Sequence, residues 1–465
     1  MPLVQQMQCL SRCFLLLRNP DTFMSVCPSC SRPKAPLSGF CPWAHGLGLL
    51  LLLLVLLTAG CAGSNDAAAP ADQSPEAPRA TLASPDSTVG TVQLYRGDDE
   101  RALPVVSMKD SAPLTLAFDL LVDAGRPLNV QFIHADRTWQ RDLPPSRYMA
   151  RFADDQLLDY RLSRSTKVPY VHYTYQFPND SIDFTVSGNY ILRVTEQGNR
   201  DAVLFERPFY VSEQDAEGTL DLESVRQPGV ATAPLRPTLR FTPPEDLRGN
   251  PYGYTVCFTR DAVLDTPRCS TRPLLNAQPQ LGFELDRDAA FVPQTPALEL
   301  DLSNLRTGLR IARVDRQRRP PLVTLDPDRA RVLEGEPAAL GGPSVIRAAL
   351  RALPDGEVSG EYVDVRFALV PPDAMPVRGA VRLNGPVAPG GARMQWDAQA
   401  EHYTATLRVK QGLHAYRYDT TDAELNRTLQ RAAQRYARQY LTFVYYRDPS
   451  AGTDRLLHVQ TARPR

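Results

Sequence analysis

Proline is the residue type that most restricts what this chain can fold into. It accounts for 42 of the 465 residues, about twice its usual share in globular proteins. Because proline fixes φ and lacks a main-chain N–H, it disrupts helices and central strands but suits turns, edge strands and linkers. Few long helices are therefore expected, and the sequence predicts an all-β fold class.

Short runs of alternating apolar and polar residues support that class, and the clearest run lies at 362–369. Further runs lie at 92–95, 114–120, 128–132, 170–175, 190–194, 403–409, 413–418 and 441–446. Lys410, Gln411 and Gly412 predict a hairpin, since glycine adopts positive φ. One amphipathic helix is predicted at 423–438. The pattern as a whole predicts two or three tandem Ig-like β-sandwich domains.

Changes in composition divide the chain into five segments. These are a lipoprotein signal peptide (1–60), a disordered tether (61–88), an N-terminal β-sandwich (89–215), a second β domain (216–330) and a C-terminal β-sandwich (331–465). The tether is rich in Ala, Pro, Ser and Asp, a composition that cannot bury a core. The last boundary is placed at Pro320–Pro321 and a Gly/Pro-rich stretch at 335–343.

The signal peptide is indicated by the uninterrupted apolar run LGLLLLLLVLL at residues 47–57. This run has the length of a signal-peptide core and is too short for a relaxed transmembrane helix. Small residues then precede Cys61 directly, a pattern that resembles the lipobox cut by bacterial lipoprotein signal peptidase. Cys61 is therefore predicted to carry the lipid that anchors the mature protein in a membrane. The alternative is an ordinary signal peptide followed by a free cysteine.

Charge and cysteine content limit the partners and the compartment. Lys and Arg total 52, as do Asp and Glu, so the chain has no net charge that would attract nucleic acid. Nucleic acid is therefore not expected as a partner. Beyond Cys61 only Cys257 and Cys269 remain. In an exported protein these two are expected to form a disulfide between adjacent strands. Two buried free thiols are the alternative.

The sequence lacks the motifs that usually accompany catalysis. It has no GxSxG, no HExxH, no phosphate-binding loop and no GxGxxG that opens a helix after a strand. No second CxxC or histidine pair accompanies Cys27 and Cys30, so no metal site is predicted. No enzymatic activity, cofactor or small-molecule substrate is expected.

Four groups of side chains still have a functional interpretation beside a structural one. His134 and Asp136 share one strand face, which suits a ligand or acid/base pair, or alternatively a turn beside Trp139. Two aromatic groups suit sugar stacking or, alternatively, half-buried strands: His172 with Tyr170, Tyr173 and Tyr175, and Trp396 with Tyr403, Tyr416 and Tyr418. A basic helical stripe predicts an acidic partner, lipid headgroups or simply a solvated face: Arg427, Arg431, Arg435 and Arg438.

An ordered set of motif residues runs through the first domain and has matching stretches at 361–369, 407–412 and 440–447 with Asp454. The set comprises His134, Asp136, Trp139, Tyr148, Tyr160, Ser163, Thr166, Tyr170, His172, Tyr173, Pro178, Asn179, Ser187, Gly188, Asn189 and Tyr190. With these residues the chain resembles the plug proteins of the type IX secretion system, found in Bacteroidota and related bacteria.

The resemblance implies a particular place and partner. A plug protein docks on the outer-membrane translocon barrel from the periplasmic face and closes the pore when no substrate is passing. The chain is accordingly expected at the outer membrane, lipid-anchored through Cys61. The alternative is a surface glycan-binding lipoprotein with tandem Ig-like modules, which would expose coplanar aromatic side chains on one face.

Overall fold

A computed structural model describes residues 82–462 of the chain. The description leaves out 111, 227–232, 261–263, 265–266, 275–279, 293–294, 296, 309, 334–343, 348–354 and 433–438. The predicted signal peptide and Cys61 lie outside the described residues. The described part consists mainly of antiparallel sheets, which confirms the predicted all-β fold.

The first sandwich extends from 89 to 212. Its strands are β1 (Val89–Arg96), β2 (Val105–Ser107), β3 (Leu114–Leu120), β4 (Leu128–Ala135), β5 (Asp154–Leu157), β6 (Tyr160–Leu162), β7 (Val171–Phe177), β8 (Gly188–Glu196) and β9 (Asn199–Ser212), with a short helix α1 (Pro145–Tyr148). One sheet has the order β1-β3-β7-β6 and the other the order β2-β9-β8-β4-β5. Alternate side chains such as Leu128, Val130 and Phe132 fill the space between the sheets, as a strand period of two requires.

The ordered chain begins earlier than predicted. Residues 82–88 were assigned to the disordered tether, but Ala83 and Asp86 hydrogen bond to β9. The Ala83 N–H donates to the Glu206 carboxylate at 2.9 Å, and the Asp86 N–H donates to the Leu204 carbonyl at 2.9 Å. These hydrogen bonds satisfy main-chain N–H groups of the segment and hold it against β9. Composition alone does not reveal such partners.

The next strands start a second sandwich. They are β10 (Gly218–Ser224), β11 (Leu235–Phe241), β12 (Tyr254–Arg260), β13 (Arg268–Ser270) and β14 (Leu281–Glu284). A third sandwich follows with β15 (Leu298–Asp301), β16 (Ile311–Asp315), β17 (Leu322–Leu325), β18 (Asp328–Arg329), β19 (Tyr362–Val370), β20 (Val381–Gly385), β21 (Ala388–Arg393), β22 (Gln395–Asp397), β23 (His402–Lys410) and β24 (Leu413–Thr420), together with a short helix α2 (Gly356–Ser359).

Helix α3 (Ala423–Ala432) closes the third sandwich. The Asp422 carboxylate accepts the N–H groups of Glu424 and Leu425 at 3.1 and 2.9 Å, which caps the first turn. Leu425, Leu429 and Ala432 are buried in the core of the third sandwich. Their spacing of four and three residues places them on one helix face.

The last two strands, β25 (Tyr440–Asp448) and β26 (Thr453–Ala462), return to the second sandwich. They complete a sheet of order β13-β12-β25-β26, which packs on the sheet β10-β11-β14 around a shared core. The third sandwich is thus inserted into the second. The predicted boundary at 330/331 does not follow this arrangement, because β12 pairs with β25 far along the chain and β15–β18 belong to the third sandwich.

Candidate functional site: two buried interfaces of the first sandwich

Several of the motif residues lie where the first sandwich meets the other two. The first of these contacts, here called the apolar interface, joins the outer face of the β2-β9-β8-β4-β5 sheet to the outer face of the β13-β12-β25-β26 sheet. Its buried residues are Val105, Ala135, Trp139, Ile191 and Tyr210 on one side and Cys257, Leu441, Phe443, Tyr445 and Leu456 on the other. The rings of Tyr210 and Phe443 lie 4.8 Å apart across it.

Strand alternation explains how β25 serves two cores at once. Tyr440 and Val444 point into the second sandwich, while Leu441, Phe443 and Tyr445 point into the apolar interface. All three of the latter are at most 4% exposed. A strand buried on both faces has no polar side, which accounts for the largely apolar sequence at 440–446, where Thr442 is the exception.

Ser187 and Asn189 fasten the apolar interface with hydrogen bonds. The Ser187 hydroxyl donates to Glu213 at 2.6 Å and accepts the Leu456 N–H at 3.0 Å. The Tyr445 hydroxyl donates to the Asn189 side-chain oxygen at 2.8 Å. Glu213 also receives two hydrogen bonds from Arg455, at 2.8 and 2.7 Å. Such paired contacts fix the orientation of the two sandwiches as well as holding them together.

His134 is paired with Asp142, not with Asp136. The His134 side chain is fully buried and its Nδ1 lies 2.6 Å from Asp142, which also accepts the Thr453 hydroxyl. Burial raises the pKa of Asp142, but the hydrogen bonds from His134 and Thr453 outweigh it and hold that pKa below its ordinary value. Asp136 instead accepts hydrogen bonds from Thr138 and Gln140 within a turn.

Gly188 lies directly against the His134 ring. A Cβ at this position would come 2.6 Å from His134 Nε2, and its φ of 149° disfavours other residues. The glycine of the Ser187-Gly188-Asn189 motif is therefore required by the close approach of the backbone to an imidazole.

The second contact, here called the polar interface, joins the outer face of the β1-β3-β7-β6 sheet to β19, β23 and α2. At its centre Lys410 donates to Asp119 at 2.6 Å, and both side chains are buried. His172 Nδ1 lies 2.8 Å from the other Asp119 oxygen. The Tyr362 hydroxyl donates to Asp119 at 2.6 Å.

Tyr170 completes the surroundings of the Lys410 ammonium group. The ammonium lies 4.2 Å from the centre of the Tyr170 ring and donates to the Glu357 carbonyl at 2.6 Å. The Tyr170 hydroxyl hydrogen bonds to the carbonyls of Glu357 and Gly360, both at 3.0 Å. The buried cation therefore has a carboxylate, a carbonyl and an aromatic face as partners, which compensates its desolvation.

The same cluster determines the ionisation of Asp119. Burial raises the pKa of this carboxyl, but the charge of Lys410 and the hydrogen bond with His172 outweigh it and hold the pKa below its ordinary value. Asp119 is therefore ionised at neutral pH. An ionised, fully partnered cluster between two sandwiches stabilises one relative orientation.

The remaining motif residues stabilise the first sandwich itself. Tyr148 and Tyr190 are buried and donate to the carbonyls of Phe132 and Val186 at 2.9 and 2.6 Å. Ser163 accepts the Tyr170 N–H and the Thr166 hydroxyl, both at 3.0 Å. After Pro178, Asn179 accepts the N–H groups of Ser181 and Ile182 in a turn. Tyr160 packs on Tyr173 with ring centres 5.4 Å apart.

The aromatic groups considered for sugar stacking are mostly inside the protein. Tyr170, Tyr173, Tyr416 and Tyr418 are each at most 1% exposed, and Tyr175, Trp396 and Tyr403 are half-buried or buried. Strand alternation therefore turns these rings toward the cores rather than toward a ligand surface.

In the predicted basic stripe Arg427 and Arg431 are exposed, and Arg435 and Arg438 lie outside the described residues.

Cys257 and Cys269 form a disulfide across β12 and β13, with an S–S distance of 2.01 Å. Cys257 is buried in the apolar interface. Within the described ranges no group of three His, Cys, Asp or Glu side chains is arranged to hold a metal ion.

Sequence reasoning did not single out several residues that carry the two interfaces. These are Asp119, Asp142, Glu213 and Arg455, whereas Tyr362 and Lys410 belong to the motif stretches at 361–369 and 407–412 without a predicted interface role. Asp119 is the one charged residue in the mainly apolar strand LTLAFDL, and this was a usable signal, because a buried acidic residue requires partners. The partners themselves lie too far along the chain for local patterns to identify.

The first sandwich matches the family model of the type 9 secretion system plug protein 1st domain over residues 89–213. Among solved structures, the chain is similar to a hypothetical protein from Parabacteroides merdae, with 21% identity and a TM-score of 0.73. That similarity covers 82% of this chain and 98% of the other, and it shows a shared fold. No curated protein matches the chain. The match identifies the first sandwich as a plug-protein first domain, and it supports the type IX secretion system plug family for this chain.

Proposed function

We propose that the protein is a lipid-anchored plug that docks on the type IX secretion translocon barrel and seals its periplasmic opening when the barrel is idle. The observation that carries the proposal is the match of residues 89–213 to the plug domain. That family implies association with the type IX secretion machinery and a location in the cell envelope. The family also suggests a structural, non-catalytic role.

The joined sandwiches suit this role. A seal must keep its shape against a partner, and separate domains connected only by linkers would move independently. Here the first sandwich is held to the second by the apolar interface and to the third by the polar interface. The insertion of the third sandwich into the second adds two chain connections between them. These features favour one rigid body.

Lipid on Cys61 would keep the plug close to its pore. The predicted tether allows the body to move over a short range, and confinement to the membrane raises its effective concentration at the barrel. Among the helices that the structure describes, none is both long and apolar enough to cross a membrane.

The glycan-binding alternative has less support. It requires exposed aromatic faces, whereas the tyrosines of the two candidate groups are largely buried. Likewise, His134 and His172 are occupied by structural partners, Asp142 and Asp119. Their side chains are 0% and 4% exposed, so neither faces solvent as an acid/base residue at a surface site would.

Co-purification tests the proposal. The full-length chain is isolated from detergent-solubilised outer membranes, and the bound proteins are identified by mass spectrometry. The translocon barrel is expected to co-purify with the wild-type chain, and less of it with Cys61→Ala expressed at the native level. Specific retention of the chain on polysaccharide without the barrel would contradict the plug and favour the glycan-binding alternative.

A further inference from the structure

Exposed large apolar side chains are concentrated at one edge of the first sandwich. Eight such residues occur in the described part of the chain: Met108, Phe152, Leu158, Tyr160, Leu162, Tyr252, Val332 and Met375. Four of the eight fall between 152 and 162, while the others are single positions spread over the three sandwiches. Clustered exposed apolar residues mark interaction surfaces more often than isolated ones do.

The main chain of β6 has an open side at this edge. β6 is the terminal strand of its sheet and pairs only with β7 among the described strands. The Ser163 N–H donates to the Tyr170 carbonyl, and the Thr174 N–H donates to the Asp159 carbonyl. Hydrogen-bonded positions alternate along an antiparallel strand. The N–H and C=O groups of Tyr160 and Leu162 therefore point away from β7.

The exposed side chains repeat with the period of a strand. Leu158, Tyr160 and Leu162 are 57%, 39% and 54% exposed at alternate positions, and Arg161 between them turns to Glu357. Tyr160 is held in place by Tyr173 and by close contact with Gly125. The edge thus offers free main-chain groups and positioned apolar side chains, the two elements used when an extended peptide adds to a sheet.

Charges along the edge differ between its two ends. Asp154 and Asp159 are exposed before β6, whereas Arg164 and Lys167 are exposed after it. Asp154 and Arg164 form exposed ion pairs with Arg200 and Asp355, at 3.3 and 3.7 Å, which a docking segment could exchange at small cost. Lysine and proline, which often protect an edge strand, are absent from β6, and the charge of its Arg161 is turned to Glu357. An added segment is favoured when its basic end lies beside the aspartates and its acidic end beside Arg164 and Lys167.

We propose that β6 is the docking edge for an extended segment of the translocon barrel protein. The segment adds to β6 as a further strand, presents apolar side chains to Leu158, Tyr160 and Leu162, and carries basic and acidic residues at opposite ends. This inference rests on the proposed function, because it names the surface through which the plug binds its partner.

Leu162→Pro is the most direct variant. It removes an N–H that points outward, so it deletes a donor for the added strand without removing a bond to β7. Leu162→Lys keeps the N–H and removes the apolar contact. Met375→Lys makes the same chemical change at an isolated exposed position of the third sandwich, 63% exposed, and serves as the matched control.

Each variant is expressed as the full chain, and the barrel that co-purifies from solubilised outer membranes is quantified. We expect at least about a tenfold loss of barrel for both Leu162 variants and no loss for Met375→Lys. A photoreactive amino acid at position 160 is expected to cross-link to an extended segment of the barrel protein. Thermal unfolding checks that the variants fold. If Leu162→Pro does not fold, the amount of barrel retained by Leu162→Lys decides the test.

The outcomes separate the two proposals. If the wild-type chain and both Leu162 variants retain equal amounts of barrel, the docking edge is wrong while the plug function stands. If the wild-type chain retains no barrel, both are overturned. A loss shared equally by Met375→Lys would also overturn the edge, because it would show a general effect of added charge.

Discussion

Asp119 of the first sandwich and Lys410 of the third lie 2.6 Å apart, and their side chains are only 1% and 2% exposed. The pair lies far from solvent, so each charge depends on the other and on His172, Tyr362 and Tyr170. Two sandwiches joined in this way cannot separate without exposing or isolating a charge. The contribution of this contact to the free energy of unfolding can therefore be measured by substituting either residue.

Lys410→Met is expected to lower the free energy of unfolding by about 3–5 kcal/mol, because it leaves the buried Asp119 carboxylate without its cation. The double variant with Asp119→Asn is expected to recover part of the loss. Denaturant unfolding of the purified protein measures both. Arg331→Met is the surface control, since it breaks a pair with Asp373 whose side chains are 65% and 60% exposed, and it should cost less than about 1 kcal/mol. Equal losses for Lys410→Met and Arg331→Met would contradict this account of the polar interface.

Tyr445→Phe tests the apolar interface. It removes the hydroxyl that donates to Asn189 and leaves a buried oxygen without that donor, at an expected cost of about 1–3 kcal/mol. Tyr252→Phe, at a position 71% exposed, is the control and should be neutral. Thermal unfolding compares the two variants. A neutral Tyr445→Phe would mean that the hydroxyl does not help to hold the sandwiches together.

Replacing both Cys257 and Cys269 by alanine is expected to lower the free energy of unfolding by about 2–4 kcal/mol, as for loops of similar length. The two residues are 12 apart in sequence. Reduction of the wild-type disulfide should produce a loss of similar size, measured by denaturant unfolding with and without reductant. Full stability of the double variant would contradict a stabilising role for this bond.

Stability should also fall in mild acid because of His414. Burial lowers the pKa of His414 to about 4. Its Nε2–H donates to the Lys410 carbonyl at 2.6 Å, and its Nδ1 lies 2.7 Å from the Ser344 hydroxyl. Between pH 6.5 and 4 the histidine of the unfolded chain binds a proton while the folded one does not. The folded state therefore loses up to about 3 kcal/mol as the pH falls.

His414→Gln is expected to flatten this pH dependence, even though it lowers stability at neutral pH. Unfolding free energies measured at intervals from pH 7 to pH 4 give the slope for each protein. An unchanged slope in the variant would assign the acid sensitivity to other groups.

Local sequence patterns predicted much of the fold. The alternation at 362–369 corresponds to β19, the glycine at 412 lies between β23 and β24, and the amphipathic pattern from 423 begins α3. These elements depend on neighbours within a few residues, which a single sequence records. The all-β class followed from them and from the proline content.

The connections between sandwiches could not be predicted in the same way. The pairing of β12 with β25 joins residues almost two hundred positions apart, and no local feature of either strand specifies its partner. The interfaces between sandwiches could not be predicted from the sequence for a related reason. Leu441, Phe443 and Tyr445 have the composition of core residues, and nothing in the sequence says that their core is shared between two sandwiches.

Measuring the permeability of the outer membrane is a direct test of the plug function. Cells that lack this protein but retain the translocon are compared with wild-type cells for entry of a hydrophilic dye too large for ordinary porins. We expect faster dye entry in the deletion strain while type IX export continues, and we expect the wild-type chain to restore the barrier. Normal impermeability in the deletion strain, with the barrel present in the outer membrane, would contradict the assignment of this protein as the plug.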